Sequence, residues 1–149
     1  TYGERLVDPK VRIKCEKDGK ELIQDLPLKV NQIEEVIRIY KEDGFGTNQA
    51  VMEIGMPSDI KLVDPPCLRL IDTRIRHNKL HFILYFRSWD LWGGFPSNLG
   101  GLQLVKQYMA DMIGVADGEI IAVSKGLHLY DYSWEVAKIR TKKTDKVIS

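Results

Sequence analysis

Residues 65–98 read PPCLRLIDTRIRHNKLHFILYFRSWDLWGGFPSN, and the fold turns on how that stretch divides. Leu68 to Asp72 and Lys79 to Phe86 alternate as strands do, and Arg76-His77-Asn78 between them predicts a hairpin turn. In the second strand Leu80, Phe82, Leu84 and Phe86 take one face, while His81, Ile83 and Tyr85 take the other. Large apolar groups on both faces predict a sheet covered on both sides, by helices on one and a second element on the other. A partner subunit is the natural candidate for that cover. The two strands carry Cys67 at their open end and return with Arg87, and a Gly93-Gly94 turn then leads into a helix.

Upstream, Ile33, Val36, Ile37 and Tyr40 fall at helical spacing, with Asn31 as N-cap and Gly44 as stop. Gln49 to Ile54 reads as a buried strand centred on Val51 and Met52, followed by a loop with Pro57, Ser58 and Asp59. At the start, a Tyr2-Gly3 turn precedes two short extended pieces separated by a mobile loop at Glu16 to Lys20. Downstream, Ser97 is expected to cap a central buried helix with the stripe Leu102, Val105, Met109 and Met112, ending at Gly114. Val115 to Gly118 reads as a turn, Glu119 to Leu127 as a strand, Tyr132 to Ile139 as a short helix, and Arg140 to Ser149 as a frayed tail. These elements predict a single domain of the α+β class built on a mixed β-sheet with a long buried central helix.

At 149 residues, with 44% hydrophobic and 29% charged side chains, the chain can supply a real core. Its 22 basic and 21 acidic residues leave a net charge of +1, so no global field attracts nucleic acid or an anionic membrane. Any anionic ligand has to be caught by a local cluster. No apolar run approaches the roughly 20 residues of a membrane span and no signal-like segment opens the chain, so the cytoplasm is the expected compartment. Cys15 and Cys67 could pair, but one bridge is a thin framework, and both are read as free thiols. Thr1 rather than Met opens the sequence, which reads as a processed chain or a piece of a longer one.

Cys67 follows Pro65 and Pro66, which restrict the backbone where the thiol is presented; it reads either as a small buried hydrophobe or as a nucleophile. Arg87, returned by the hairpin, would stabilise a thiolate, and Arg87 beside Ser88 offers a fork and a hydroxyl to a phosphate. Asp90 serves equally as a turn carboxylate or a ligand contact, and Gly93 and Gly94 as a sharp turn or a place for close backbone approach. Asn98, placed in the first turn of the expected helix, is a cap or a reader of a pyrimidine edge. His128 and Tyr130, two apart, share a side and could hold sugar hydroxyls. The three histidines and two cysteines show no metal-ligand spacing.

Taken in order, Pro66-Cys67, Arg87-Ser88-Trp89-Asp90, Gly94, Pro96, Asn98 and His128-Leu129-Tyr130 resemble the thymidylate synthase family, whose pattern is Pro-Cys, Arg-Ser-x-Asp-x-x-x-Gly-x-Pro-x-Asn and His-x-Tyr. Tyr2-Gly3 and the segment from Asn31 to Asp43 resemble the family as well, so the likeness runs from Tyr2 to about Ile139. It implies that Cys67 adds to C6 of deoxyuridylate (dUMP) and that C5 then attacks the methylene carbon of 5,10-methylenetetrahydrofolate, or of a modified archaeal pterin. It further implies that Arg87 and Ser88 bind phosphate, Asn98 reads uracil, His128 and Tyr130 hold the sugar, and Asp90 and Gly94 face the pterin. A homodimer is implied too.

The family's partner subunit lends a pair of arginines upstream of the cysteine, where this chain has Thr47 and Asn48. The resemblance is to a short, divergent form of archaeal type, or to a fragment without the family's N-terminal segment. A pyrimidine nucleotide hydroxymethylase, a non-catalytic nucleotide-binding homologue and a plain interaction domain are the alternatives. Asn98 favours uracil over cytosine among them.

Overall fold

The computed structural model describes residues 1–142, apart from the side chains of Cys15 and Lys17. Its elements are α1 (Tyr2–Val7), β1 (Lys10–Lys17), β2 (Lys20–Pro27), α2 (Gln32–Glu42), β3 (Val51–Glu53), a 3-10 turn (Pro57–Lys61), β4 (Leu68–Arg76) and β5 (Lys79–Phe86). There follow β6 (Trp89–Asp90), α3 (Gly94–Ile113), β7 (Ala116–Ser124), β8 (Leu127–His128), a second 3-10 turn (Asp131–Ser133) and α4 (Trp134–Thr141). The main sheet has the order β3-β4-β5-β7, antiparallel except for the parallel β5–β7 pair, so the expected α+β fold with a mixed sheet and a long central helix is present. Two small sheets, β1-β2 and β6-β8, flank it.

The β4–β5 hairpin closes through His77 and Asn78, both at positive φ (+50° and +56°), the twist-matching turn that two-residue hairpin loops favour. Arg76, expected in that turn, pairs with Lys79 at the end of the ladder, and β4 runs past the expected Asp72. On the closed face Met52, Ile71, Leu80, Phe82, Leu84 and Phe86 pack against Val36, Ile37 and Tyr40 of α2 and Leu102, Met109, Ala110 and Ile113 of α3. The buried Tyr40 and Thr73 hydroxyls bond each other at 2.9 Å, and Thr73 donates to the Ala50 carbonyl, so no polar atom there is orphaned. The opposite face leaves Val51, Ile83, Tyr85, Ile121 and Val123 between 37% and 53% exposed. Both faces of β5 are therefore apolar, and one is open.

Several expected boundaries move for identifiable reasons. Tyr2 and Gly3 open α1 instead of forming a turn, and Thr1 accepts the Glu4 N–H at its start. The loop at Glu16 to Lys20 shrinks to Asp18-Gly19, a two-residue hairpin turn with both φ positive, because β1 and β2 pair along their whole length. α2 matches expectation: Asn31 accepts the N–H groups of Ile33 and Glu34, at 3.1 and 3.3 Å. Gln32 in its first turn bonds both the N–H and the carbonyl of Glu53, which satisfies the edge of β3.

α3 begins at Gly94, so Ser97 lies inside the helix, donating to the Gly93 carbonyl, and does not cap it. Met112, expected in its core stripe, is 42% exposed, while Lys106 is fully buried in that stripe. Of the expected turn at Val115 to Gly118, Ala116 to Gly118 instead open β7. The Lys106 ammonium bonds Asp117 Oδ1 at 2.5 Å and the Gly118 carbonyl, and a side chain at Gly118 would lie 2.4 Å from the Leu80 carbonyl oxygen, so only glycine fits the close approach of β7 to β5. Leu127 belongs to β8, not to the preceding strand. Of the tail expected to fray, Arg140 and Thr141 extend α4, and residues 143–149 lie outside the described residues. Cys67 is a free thiol as expected; the Cys15 side chain lies outside the described set. Among the described residues no helix is long and apolar enough to cross a membrane.

Candidate active site

Pairing of β4 with β5 slips between Leu68 and Leu70, leaving Arg69 as an extra, bulged residue. The bulge decides where Cys67 points. Ile71, Thr73 and Ile75 face the core, and uninterrupted alternation would put Cys67 there with them; the extra residue hands the core position to Leu68 and leaves Cys67 half-buried. Cys67 is thus only partly buried, packed against the edge of the core, where its thiol is not enclosed as a core residue would be.

The backbone around the thiol is fixed on every side. Arg87 donates its N–H to the Cys67 carbonyl at 2.9 Å, and the Tyr2 hydroxyl accepts the Leu68 N–H at 3.2 Å. The Pro66 carbonyl, just before the cysteine, receives Arg87 Nε at 3.3 Å and Arg69 Nη1 at 3.4 Å; Arg87 also bonds the Pro65 carbonyl and, at 3.2 Å, Asp64. Arg69 is anchored in turn by Asp59, whose buried carboxylate accepts it at 3.0 Å and takes both Arg5 nitrogens at 2.8 and 2.9 Å. Gly55 makes room for this arrangement, since a side chain there would stand 2.5 Å from the Arg69 guanidinium. Burial pushes the Asp59 carboxyl up, but Arg5, the Met56 N–H and Arg69 outweigh it and hold it below the usual carboxylate range.

The parallel pairing of β6 with β8 brings a second group to the same end of the sheet. Ser88 Oγ and His128 Nδ1 are 3.0 Å apart, and the His128 and Tyr130 rings meet edge to face at 5.0 Å, so the expected common side for His128 and Tyr130 is real. Asp90 accepts the N–H groups of Trp92, Gly93 and Gly94 and so starts α3, the task expected of Ser97. Desolvation raises its pKa, but the three N–H donors and the nearby His128 prevail, and the group titrates below its usual range. Asn98 lies in the second turn of α3, not the first, and caps nothing: its Oδ1 accepts the Trp89 indole N–H at 3.1 Å.

This arrangement joins a thiol, a guanidinium, a hydroxyl–imidazole pair and an amide along one sheet end, in the order the sequence pattern required. The profile of the thymidylate synthase family matches residues 9–148. The chain belongs to the thymidylate synthase family. A Methanosarcina mazei protein provisionally named thymidylate synthase is 38% identical over 109 residues, 73% of this chain and 50% of that protein. A like-named protein of Methanococcoides burtonii is 37% identical over 136 residues, 91% of this chain and 54% of its own length. The deoxyuridylate hydroxymethyltransferase of Bacillus phage SP01 is 34% identical over 146 residues, 92% of this chain and 35% of its own. The chain spans about half the length of the archaeal relatives it matches.

Within this thymidylate synthase family member, sequence reasoning overlooked several contributors. Tyr2 reaches Cys67 from α1; burial first, and then the Cys67 charge, push its hydroxyl above its usual value against the pull of the Leu68 N–H and Arg87. Asp59 and Arg69 build the clamp just described, and Trp89 orients Asn98. At Thr47 and Asn48, where the resemblance expects arginines, Arg74 of β4 bonds the Thr47 carbonyl at 3.0 Å and Asn48 Oδ1 at 2.5 Å. An apolar cleft of about 830 Å3 between β1, the segment after β2, α2 and β3 is not lined by any of these residues. Its lining, with Val11, Leu28, Val36 and Val51 prominent, contains no cysteine and no cation to meet a phosphate.

Proposed function

We propose that the protein acts as a thymidylate synthase, converting deoxyuridylate to thymidylate with Cys67 as nucleophile. The observation that carries this reading is the bulge at Arg69, which gives the core position to Leu68 and leaves Cys67 half-buried in a backbone segment whose groups are bonded by Tyr2, Arg69 and Arg87. The Cys67 thiolate attacks C6 of the uracil; the S–C6 bond forms and the ring electrons move toward C5 and O4. Arg87, with fixed positive charge beside the loop, favours the thiolate, and Arg87 with Ser88 meets the nucleotide phosphate. Asn98 Nδ2, turned away from Trp89, donates to O4 as charge develops there. His128, oriented by Ser88, and Tyr130 hold the sugar hydroxyl.

The co-substrate, 5,10-methylenetetrahydrofolate or a modified archaeal pterin, would supply one carbon to C5 and then a hydride, while C5 gives up its proton and the S–C6 bond breaks to release the Cys67 thiolate. Asp90 Oδ1 takes a single N–H and retains acceptor capacity, and half-exposed Trp92 and the Gly93-Gly94 backbone lie beside it, a surface suited to a flat pterin ring. Tyr2 is the residue near Cys67 that can pass a proton to or from water. The open sheet face is covered by a second copy of the chain, and in that pair Arg74 is the cation available where the family's partner arginines would stand. The likeness to the phage hydroxymethyltransferase favours a second reading, in which water replaces hydride in the last step.

Incubation with 5-fluorodeoxyuridylate and methylenetetrahydrofolate, read by native and peptide mass spectrometry, tests the proposal because fluorine at C5 blocks the later steps. A ternary adduct on Cys67 of a dimeric species is the expected result. Nucleotide binding without an adduct would leave a non-catalytic homologue, and adducts on a monomer would remove the second copy. With dUMP itself, a methylated product supports the synthase and a hydroxymethylated one the second reading.

A further inference from the structure

The Trp89–Asn98 contact fixes more than a side-chain position. An indole N–H can only donate, so the Asn98 atom facing it at 3.1 Å has to be the carbonyl oxygen, and the amide nitrogen is turned the other way. Trp89 itself has no freedom to accommodate a flip. It is 3% exposed, stacked on Phe86 at 3.9 Å with planes 8° apart, and wedged by Phe95 at 4.6 Å. Gly94 packs against both partners: a Cβ there would lie 3.7 Å from Trp89 Cδ1 and 3.8 Å from Asn98 Oδ1.

An unrestrained asparagine amide is ambivalent toward the two pyrimidines. With nitrogen toward position 4 it donates to a uracil O4; rotated by half a turn it accepts from a cytosine amino group and donates to N3. We propose that Trp89 is a specificity-determining residue that locks the Asn98 amide in the orientation for a 4-oxo pyrimidine and so excludes the 4-amino base. This rests on the proposed function, in which Asn98 meets the base, and assigns the discrimination to a second residue. To accept cytosine, the wild-type protein would have to break the indole bond and set a buried N–H against the amide N–H2.

The test compares binding of deoxyuridylate and deoxycytidylate to the full chain and to Trp89→Phe by competition calorimetry. Phenylalanine keeps the stack on Phe86 and deletes the donor. The uracil-to-cytosine affinity ratio is expected to fall at least about tenfold, equivalent to about 1.4 kcal/mol, chiefly through tighter deoxycytidylate binding. A merely structural role for Trp89 would weaken both nucleotides together and leave the ratio unchanged, which would overturn the lock. Should Trp89→Phe fail to fold, incorporation of 3-benzothienylalanine at position 89, which replaces only the N–H by sulfur, makes the same measurement. Selective uracil binding with an unaltered ratio in the variant refutes the lock alone; no binding of either nucleotide to the wild-type chain refutes the proposed function and the lock with it.

Discussion

At the turn end of the β4–β5 hairpin, Lys106 is wholly buried and meets Asp117, whose side chain is 38% exposed. At the opposite end Asp59 is the buried member, 3% exposed, and it meets Arg5 and Arg69, which are 21% and 25% exposed. Both are cation–carboxylate contacts beside the same two strands, yet they hold different things. Lys106 and Asp117 fasten α3 to a β7 bulge and fix sheet register. Asp59 restrains a guanidinium that touches the carbonyl preceding Cys67. The first cluster can share its charge with water; the second buries an anion between two cations whose bonds also reach Ile54 and Pro66. An ion pair near a bulge therefore serves the fold at one end and the loop carrying Cys67 at the other.

Removing the buried anion should separate the two ends most sharply. Asp59→Ala leaves two partly buried guanidiniums without their carboxylate, a change expected to cost about 3–5 kcal/mol, read as a lower midpoint in urea unfolding. Cys67 alkylation by iodoacetamide in native buffer should change rate as well, because Arg69 loses its anchor. A loss below about 1 kcal/mol would mean that the arginines find water as good a partner, and the contrast between the ends would collapse.

The matching change at the turn end is Lys106→Met, which keeps most of the buried stem and gives Asp117 to solvent. It should cost about 1 kcal/mol in the same assay and leave nucleotide affinity and Cys67 alkylation as they were. Altered alkylation in this variant would show that the two ends are coupled through β4 and β5.

The same contrast explains what could be read from sequence. The hairpin, the α2 cap and the order Cys67, Arg87, Asn98, His128 were legible because strand period, turn chemistry and motif spacing are local properties. The clamp was not: Arg5 and Asp59 are far apart in the chain, and nothing near Arg69 marks it as the bulged residue that leaves Cys67 only half-buried. Asp117-Gly118 misled because those residues favour turns, whereas here a buried lysine binds one and a close strand approach requires the other. Lys106 itself stands at helical spacing from Leu102, Met109 and Ile113, so a charge within an apolar stripe, with an aspartate soon after α3, was the available signal. Ser97 drew the helix start too late because the capping oxygen comes from Asp90, outside the helix.

The smallest effect expected is a dependence on pH, and it refines the comparison because both carboxylates are held below their ordinary range. Burial opposes the shift in each; Arg5, the Met56 N–H and Arg69 overcome it at Asp59, and Lys106 with Gln103 at Asp117. A carboxyl with a depressed folded-state pKa contributes stability that is fully present above the unfolded value near about 4 and is lost as pH falls through the folded value. Neutral Asp59 can no longer balance Arg5 and Arg69, so acid should loosen the Cys67 end. Asp59→Asn removes this component, and its stability deficit relative to wild type should shrink as pH falls below about 4. Asp117→Asn should behave alike in the unfolding curve but leave the pH profile of Cys67 alkylation unchanged. If Asp117→Asn moved that profile as much as Asp59→Asn, the Cys67 thiol would be sensing the charge of the whole sheet and not the carboxylate clamped beside its loop.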